Sequence, residues 1–184
     1  LTLIGNVSLS GGNFEEPVTQ ATLKVVGAFH GLSRDRANAR RFPSIHPLDS
    51  WSRYESAVPK NLVDQARSFL DRGSEVHQMM MVVGEDGTSL DDFVVYLKSE
   101  FVDAVYLQQN GFDPVDAATS PERQNHVAEI VNGILAKDFD FNDKEEARTF
   151  FYDLRQKFID WNYMEYESDD FKQQEKVITD LIEG

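Results

Sequence analysis

The 184-residue sequence contains no cysteine. Disulfides, thiol nucleophiles and cysteine-ligated metals are thereby excluded, and a cytoplasmic location is permitted without being required. Positive charge is also scarce. Eighteen Lys and Arg stand against 32 Asp and Glu, a formal charge of −14. That balance is too poor in cations to neutralise nucleic-acid phosphates, so no nucleic-acid partner is expected. It suits solubility and basic partners instead. No apolar run approaches the roughly 20 residues of a membrane helix, and no charged-then-apolar leader opens the chain. The phosphate-cradling pattern G-x-x-x-x-G-K-[ST] and the dinucleotide pattern G-x-G-x-x-G are both missing. The glycine clusters, Gly11-Gly12 and Gly84 with Gly87, are not followed by Lys-Ser or Lys-Thr. His30, His46, His77 and His126 are scattered and lack metal-ligand spacing. Asp138, Asp140 and Asn142 imitate the start of a calcium loop. Asp143 then stands where its glycine belongs and Thr149 where its bidentate Glu belongs, so a solvated helix cap is the better reading.

What is present is enough to build a core. Hydrophobic residues make up 41%, including 13 Phe, 6 Tyr and 2 Trp, which argues against disorder. The chain opens inside an apolar stretch, Leu1-Thr2-Leu3-Ile4, which reads as a start lying within a domain. Residues 1–30 read as β-like. Val7 and Leu9 alternate with polar neighbours, Gly11-Gly12-Asn13 makes a turn, and Leu23, Val25, Gly27 and Phe29 alternate again. A short helix carrying Arg34, Arg36, Arg40 and Arg41 follows over 31–42, then an irregular connector with Pro43, Pro47 and Pro59.

From residue 61 the period becomes helical. Leu62, Ala66, Phe69 and Leu70 share a face, and Val76, Met79, Met80 and Val83 form a second stretch stopped by Gly84. Ser89 with Asp92 reads as a capping box. It opens a helix whose buried stripe is Leu90, Val94, Leu97, Phe101 and Val105, ended by Gly111 and Pro114. Ser120-Pro121-Glu122 starts another helix, with Val127, Ile130, Val131 and Ile134 on one face. Asn142 or Asp143 opens a long helix with Ala147, Phe150, Leu154, Phe158 and Trp161 inward; its aromatics read as bundle core. A last helix from about Ser168 carries Phe171, Ile178 and Leu181.

Three blocks of sequence then point to a family. The first is Gly5-Asn6-Val7-Ser8 with Ser10-Gly11-Gly12-Asn13-Phe14-Glu15-Glu16-Pro17-Val18-Thr19, continuing through Thr22-Leu23-Lys24-Val25-Val26 to Phe29-His30-Gly31-Leu32. The second is Arg41-Phe42-Pro43-Ser44-Ile45 with Ser50-Trp51-Ser52-Arg53-Tyr54, and the third is Leu107-Gln108-Gln109-Asn110-Gly111-Phe112-Asp113-Pro114. In this order they resemble the C-terminal part of catalytic A subunits of V/A-type rotary ATPases, related to the F-type beta subunit. His30 departs from the family's usual Trp. The last 60 residues match only as a helical tail. The resemblance implies a mostly α fold: residues 1–60 as the β-containing end of a nucleotide-binding domain, and 61–184 as a C-terminal helical bundle.

It also implies a function. ATP or ADP with magnesium would lie between A and B subunits of an alternating hexamer, with phosphates and metal held by a loop upstream of Leu1. No catalytic or metal-binding residue is then expected in this chain, which by itself should be inactive and hold no nucleotide tightly. Its share is the adenine wall. Phe42 stands where the family packs an aromatic on the base, and an aromatic before proline is held rigidly. Base stacking is worth roughly 1–3 kcal/mol, about 5- to 150-fold in affinity. Phe112 could close the other side, Gln109 could read the base edge, and Asn110 is an adjacent candidate. The same Gln108-to-Gly111 segment could instead be a helix C-cap with Gly111 left-handed. The family's arginine finger comes from the B subunit, so the four arginines read as surface or interface residues. Glu85, Asp86, Asp91 and Asp92 resemble the acidic turn that F-type beta subunits press against the rotor stalk, or else a solvated capping loop. The parent complex would sit on the cytoplasmic side of a membrane and touch its membrane sector indirectly. The rivals are a non-catalytic B subunit and a helical interaction module with no nucleotide role.

Overall fold

A computed structural model describes residues 1–8 and 15–184. The expected Gly11-Gly12-Asn13 turn, Leu9 and the Ser10-to-Phe14 part of the first block lie outside the described residues. Residues 1–8 carry no regular structure. The second half of the expected β region is instead a helix, α1 (Pro17–Val25). Proline at its first position, pre-set for helical φ, outweighs an alternation that rests on only a few apolar residues. Among the described residues the strands form one antiparallel pair, β1 (Ala28–Phe29) with β2 (Trp51–Ser52), in which Phe29 faces Trp51, beside an isolated bridge between Leu32 and Ile45.

Between the strands lies α2 (Arg34–Asn38), capped by Ser33, whose Oγ accepts from the Arg36 amide at 3.3 Å. Segments on either side of it pair: the Ser33 amide donates to the Ser44 carbonyl at 2.8 Å and the His46 amide to the Gly31 carbonyl at 2.7 Å. The connector is pinned to the bundle by one side chain. Arg67 donates to the carbonyls of Pro47 (2.6 Å), Ser50 (3.0 Å) and Leu48 (2.5 Å).

The bundle consists of α3 (Lys60–Val83), α4 (Leu90–Val102), α5 (Pro121–Ala136), α6 (Lys144–Asn162) and α7 (Asp169–Glu183). The two apolar stretches read between 62 and 83 lie on the single helix α3. Gly84, at φ 78°, turns the chain back, a conformation that costs a side chain but not glycine. Ser89 caps α4 as expected, accepting from the Asp92 amide at 3.1 Å and donating to its carboxylate at 2.9 Å. Each later helix also has the hydroxyl or carboxylate cap read from sequence: Ser120, Asp143 and Ser168.

The α4 stripe holds in part, with Phe101 and Val105 buried as expected. Phe93, Phe101 and Val102 are buried, whereas Leu90, Val94 and Leu97 are only partly covered. The helix lies between α3 and α6, so more than one face is used. Lys98 is buried as well. Its ammonium closes the end of α5 by donating to the carbonyls of Leu135 (3.0 Å) and Lys137 (2.6 Å). Burial lowers its pKa, against the opposing pull of Asp138.

Helices α3 and α4 approach closely at Gly73, where an added Cβ would overlap the Ser99 side chain. Gly73→Ala should therefore destabilise by about 1–3 kcal/mol in urea unfolding, although alanine favours helix. In a Ser99→Gly background the same change should become neutral or stabilising. An equal loss in both backgrounds would place the clash elsewhere.

The core centres on Trp161, Phe158, Leu154 and Phe151 of α6, packed against Phe101, Val131, Ile134, Phe171 and Ile178. Ring contacts run through it. Phe101 meets Phe158 edge-on at 5.0 Å, and Trp161 stacks on Phe171 at 4.6 Å. The aromatic helix is bundle core, as its spacing predicts.

Candidate functional site

The second and third sequence blocks come together. Helix α4 runs into a π-helical turn, Asp103–Leu107, where the Gln108 amide donates to the Asp103 carbonyl at 3.1 Å. The next residue reaches across. The Gln109 amide donates to the Phe42 carbonyl at 2.8 Å, joining the loop after α2 to the loop after the π-turn. Gly111 is not left-handed; Gly84 is the one described glycine with positive φ. The helix ends through the π-turn, which leaves Gly111 no capping task.

The aromatic candidates are open. Phe42 is 53% exposed and Phe112 fully exposed, and neither stacks on another ring among the described residues. The amides are partly spent on the loop itself. Gln109 Nε2 donates to the Asp116 carbonyl at 3.2 Å. Asn110 Oδ1 accepts from the Phe112 amide at 3.1 Å, and its Nδ2 donates to the Tyr163 hydroxyl at 3.5 Å. Asp116 organises this turn, accepting from the Asn110 amide at 2.5 Å. Burial raises the Asp116 pKa, while the Asn110 amide and Arg123 oppose the rise.

The expectation of surface arginines fails for two of the four. Arg36 and Arg41 both pair with the Asp103 carboxylate, one on each oxygen, and Arg41 also donates to Glu100 at 2.6 Å. These guanidiniums and Asp103 are mostly buried. A planar fork with several donors suits a shared carboxylate. Arg34 and Arg40 stay nearer solvent. Asp103, Glu100 and Asp116 were missed in the sequence. A signal existed: an acid inside the apolar run Phe101-Val102-Asp103-Ala104-Val105 implies a buried cationic partner.

The acidic turn between α3 and α4 is divided. Glu85 pairs with Arg148, and its carbonyl accepts from Lys144 Nζ at 2.5 Å. Asp92 serves the Ser89 cap and lies 3.4 Å from Arg72. Asp86 and Asp91 are exposed and, among the described residues, unpaired. Met81, Val82 and Val83 lie exposed beside them.

With that geometry in hand, two family patterns divide the chain. Residues 1–52 match the nucleotide-binding domain of the ATP synthase alpha/beta family, and residues 60–148 match the C-terminal domain of V and A type ATP synthase. The V-type ATP synthase alpha chain of Treponema denticola is 61% identical over 175 residues, 95% of this chain and 30% of that one. That of Borrelia turicatae is 56% identical over 182 residues, 99% of this chain and 32% of that one. The chain belongs to the V-type ATP synthase alpha-chain family and corresponds to its C-terminal part. It spans about a third of the length of these curated relatives. The fold is also that of the ATP synthase subunit NeqB from Nanoarcheaum equitans, with a TM-score of 0.59 at 21% identity over 71% of this chain and 35% of that one. The relatives are alpha chains, so the regulatory-subunit and interaction-module readings are not favoured.

Proposed function

We propose that this chain supplies the base-binding wall of the ATP site in the catalytic subunit of a rotary, ion-translocating ATPase. The observation that carries the reading is the hydrogen bond from Gln109 to the Phe42 carbonyl, which joins two loops that each end in an exposed aromatic. Open aromatic faces beside amide groups suit a nucleotide base, not magnesium or phosphate. Magnesium and the phosphates fall to the rest of the alpha chain, as no phosphate-cradling loop occurs in these residues. ATP hydrolysis or synthesis belongs to the assembled complex, in which B subunits complete the site and the whole sits peripherally on a membrane.

The domain division falls at about residue 60, supported by the separate family patterns on either side. The acidic turn is the rotor-facing tip. Asp86 and Asp91 offer free charge to a basic stalk, while Glu85 and Asp92 hold the turn's shape.

In the full-length alpha chain, Phe42→Ala should weaken ATP binding about 5- to 150-fold by equilibrium titration. Unchanged affinity would remove Phe42 from the site and the reading with it.

A further inference from the structure

Three contacts close a circuit through Asp103, with Arg36 as a branch from it. Its carboxylate holds Arg36 and Arg41; Arg41 leads directly into Phe42. The Phe42 carbonyl accepts from Gln109, and the preceding Gln108 amide returns to the Asp103 carbonyl. The ring is braced from inside: the Arg41 amide donates to the Arg36 carbonyl at 2.8 Å, and Ser44 Oγ donates to the Arg41 carbonyl at 3.1 Å. One residue thus anchors the backbone on both sides of the proposed wall, with its side chain on the Phe42 side and its main chain on the Gln109 side.

Resting on the base-wall reading, we propose that Asp103 is a positioning residue for nucleotide binding. It touches no nucleotide itself. Its two oxygens fix Arg36 and Arg41 and so set where the Phe42 ring stands relative to the Gln109 loop. Several features argue that this is more than ordinary surface pairing. The carboxylate is mostly buried, its two oxygens are engaged by different arginines, and these come from α2 and from the loop after it, where Arg41 directly precedes Phe42. Misplacing a binding group by about 1 Å can cost roughly 100-fold, so small movements of this anchor are enough to matter.

Asp103→Asn keeps the shape but removes the charge that holds two guanidiniums. In the assembled ATPase carrying the full-length alpha chain, it should raise KM for ATP about 5- to 20-fold and leave kcat within about 2-fold, the pattern of lost uniform binding. In a Phe42→Ala background the same substitution should change KM by less than about 2-fold, since its effect passes through that ring. A KM unmoved by Asp103→Asn, while Phe42→Ala raises it, would overturn this inference and leave the base wall standing. An unmoved KM in Phe42→Ala would overturn both. A fall in kcat alone would mark Asp103 as merely structural and overturn it, as would equal KM effects of Asp103→Asn in both backgrounds. If Asp103→Asn does not assemble, Arg41→Lys decides. It keeps the positive charge but cannot fork between Asp103 and Glu100, and it should raise KM in the same way; a wild-type KM would overturn the proposal.

Discussion

Trp161→Ala should cost about 3–5 kcal/mol of folding stability, shifting the urea midpoint without changing the slope. Trp161 is wholly buried, stacks on Phe171, and meets Phe158 edge-on at 5.5 Å. Its indole N–H donates to the Phe171 carbonyl at 3.0 Å, which fixes α7 against α6. Truncation removes the ring contacts, opens a cavity and deletes the indole hydrogen bond to α7. Trp161→Phe should recover part of the loss, because it restores ring volume but not the donor. If Phe and Ala cost the same, the indole hydrogen bond and not packing would dominate.

Arg123→Met should be nearly as damaging, at about 3 kcal/mol or more. The buried guanidinium donates to the carbonyls of Trp161 (3.0 Å), Asn162 (2.9 Å) and Met164 (2.9 Å) where α6 ends. It also lies 5.4 Å from the Phe171 ring centroid. Methionine matches much of the stem but removes the donor to all three; the Trp161 carbonyl keeps the Met164 amide at 3.1 Å, and the loss at Asn162 and Met164 costs roughly 1–3 kcal/mol each if water cannot reach them. Burial lowers the Arg123 pKa, with Asp116 and Asp113 opposing, so the charge is held at a desolvation cost that these bonds repay. Arg123→Lys should not rescue, because one ammonium cannot span three carbonyls on two sides. A loss below about 1 kcal/mol for Arg123→Met would mean that water reaches the end of α6.

The bundle was legible because its signals are local and repeated. Ser89, Ser120, Asp143 and Ser168 each mark a helix start where the cap forms. Long stripes such as Ala147, Leu154, Phe158 and Trp161 leave little choice of face. Residues 17–25 were misread because the alternation of Leu23, Val25, Gly27 and Phe29 lies mostly beyond them, and Pro17 was the stronger signal there; Ala28–Phe29 is a strand. The proposed wall rests on the family resemblance for its aromatics and amides, and the ion pairs beside it left no local signal of their pairing. The partners Arg36, Arg41, Glu100 and Asp103 are about 60 residues apart in sequence, and nothing local pairs them. Lys98 and Arg123 were hidden for the same reason: their partners are carbonyls at the ends of other helices, which leave no letter in the sequence.

Helix α4 starts at the acidic turn and ends at Asp103, and its 13 residues include no glycine or proline. At about 1.5 Å per residue it is a rod of roughly 20 Å with no built-in weak point. Should the proposed rotor contact press on the turn, this rod would carry the displacement to the arginine pair along one axis. The regular α geometry gives way at the π-helical turn that opens at Asp103, where five residues close a wider loop than an ordinary helical turn. The loops carrying Phe42 and Phe112 are tied together just past that change of geometry, through the Gln109 amide on the Phe42 carbonyl.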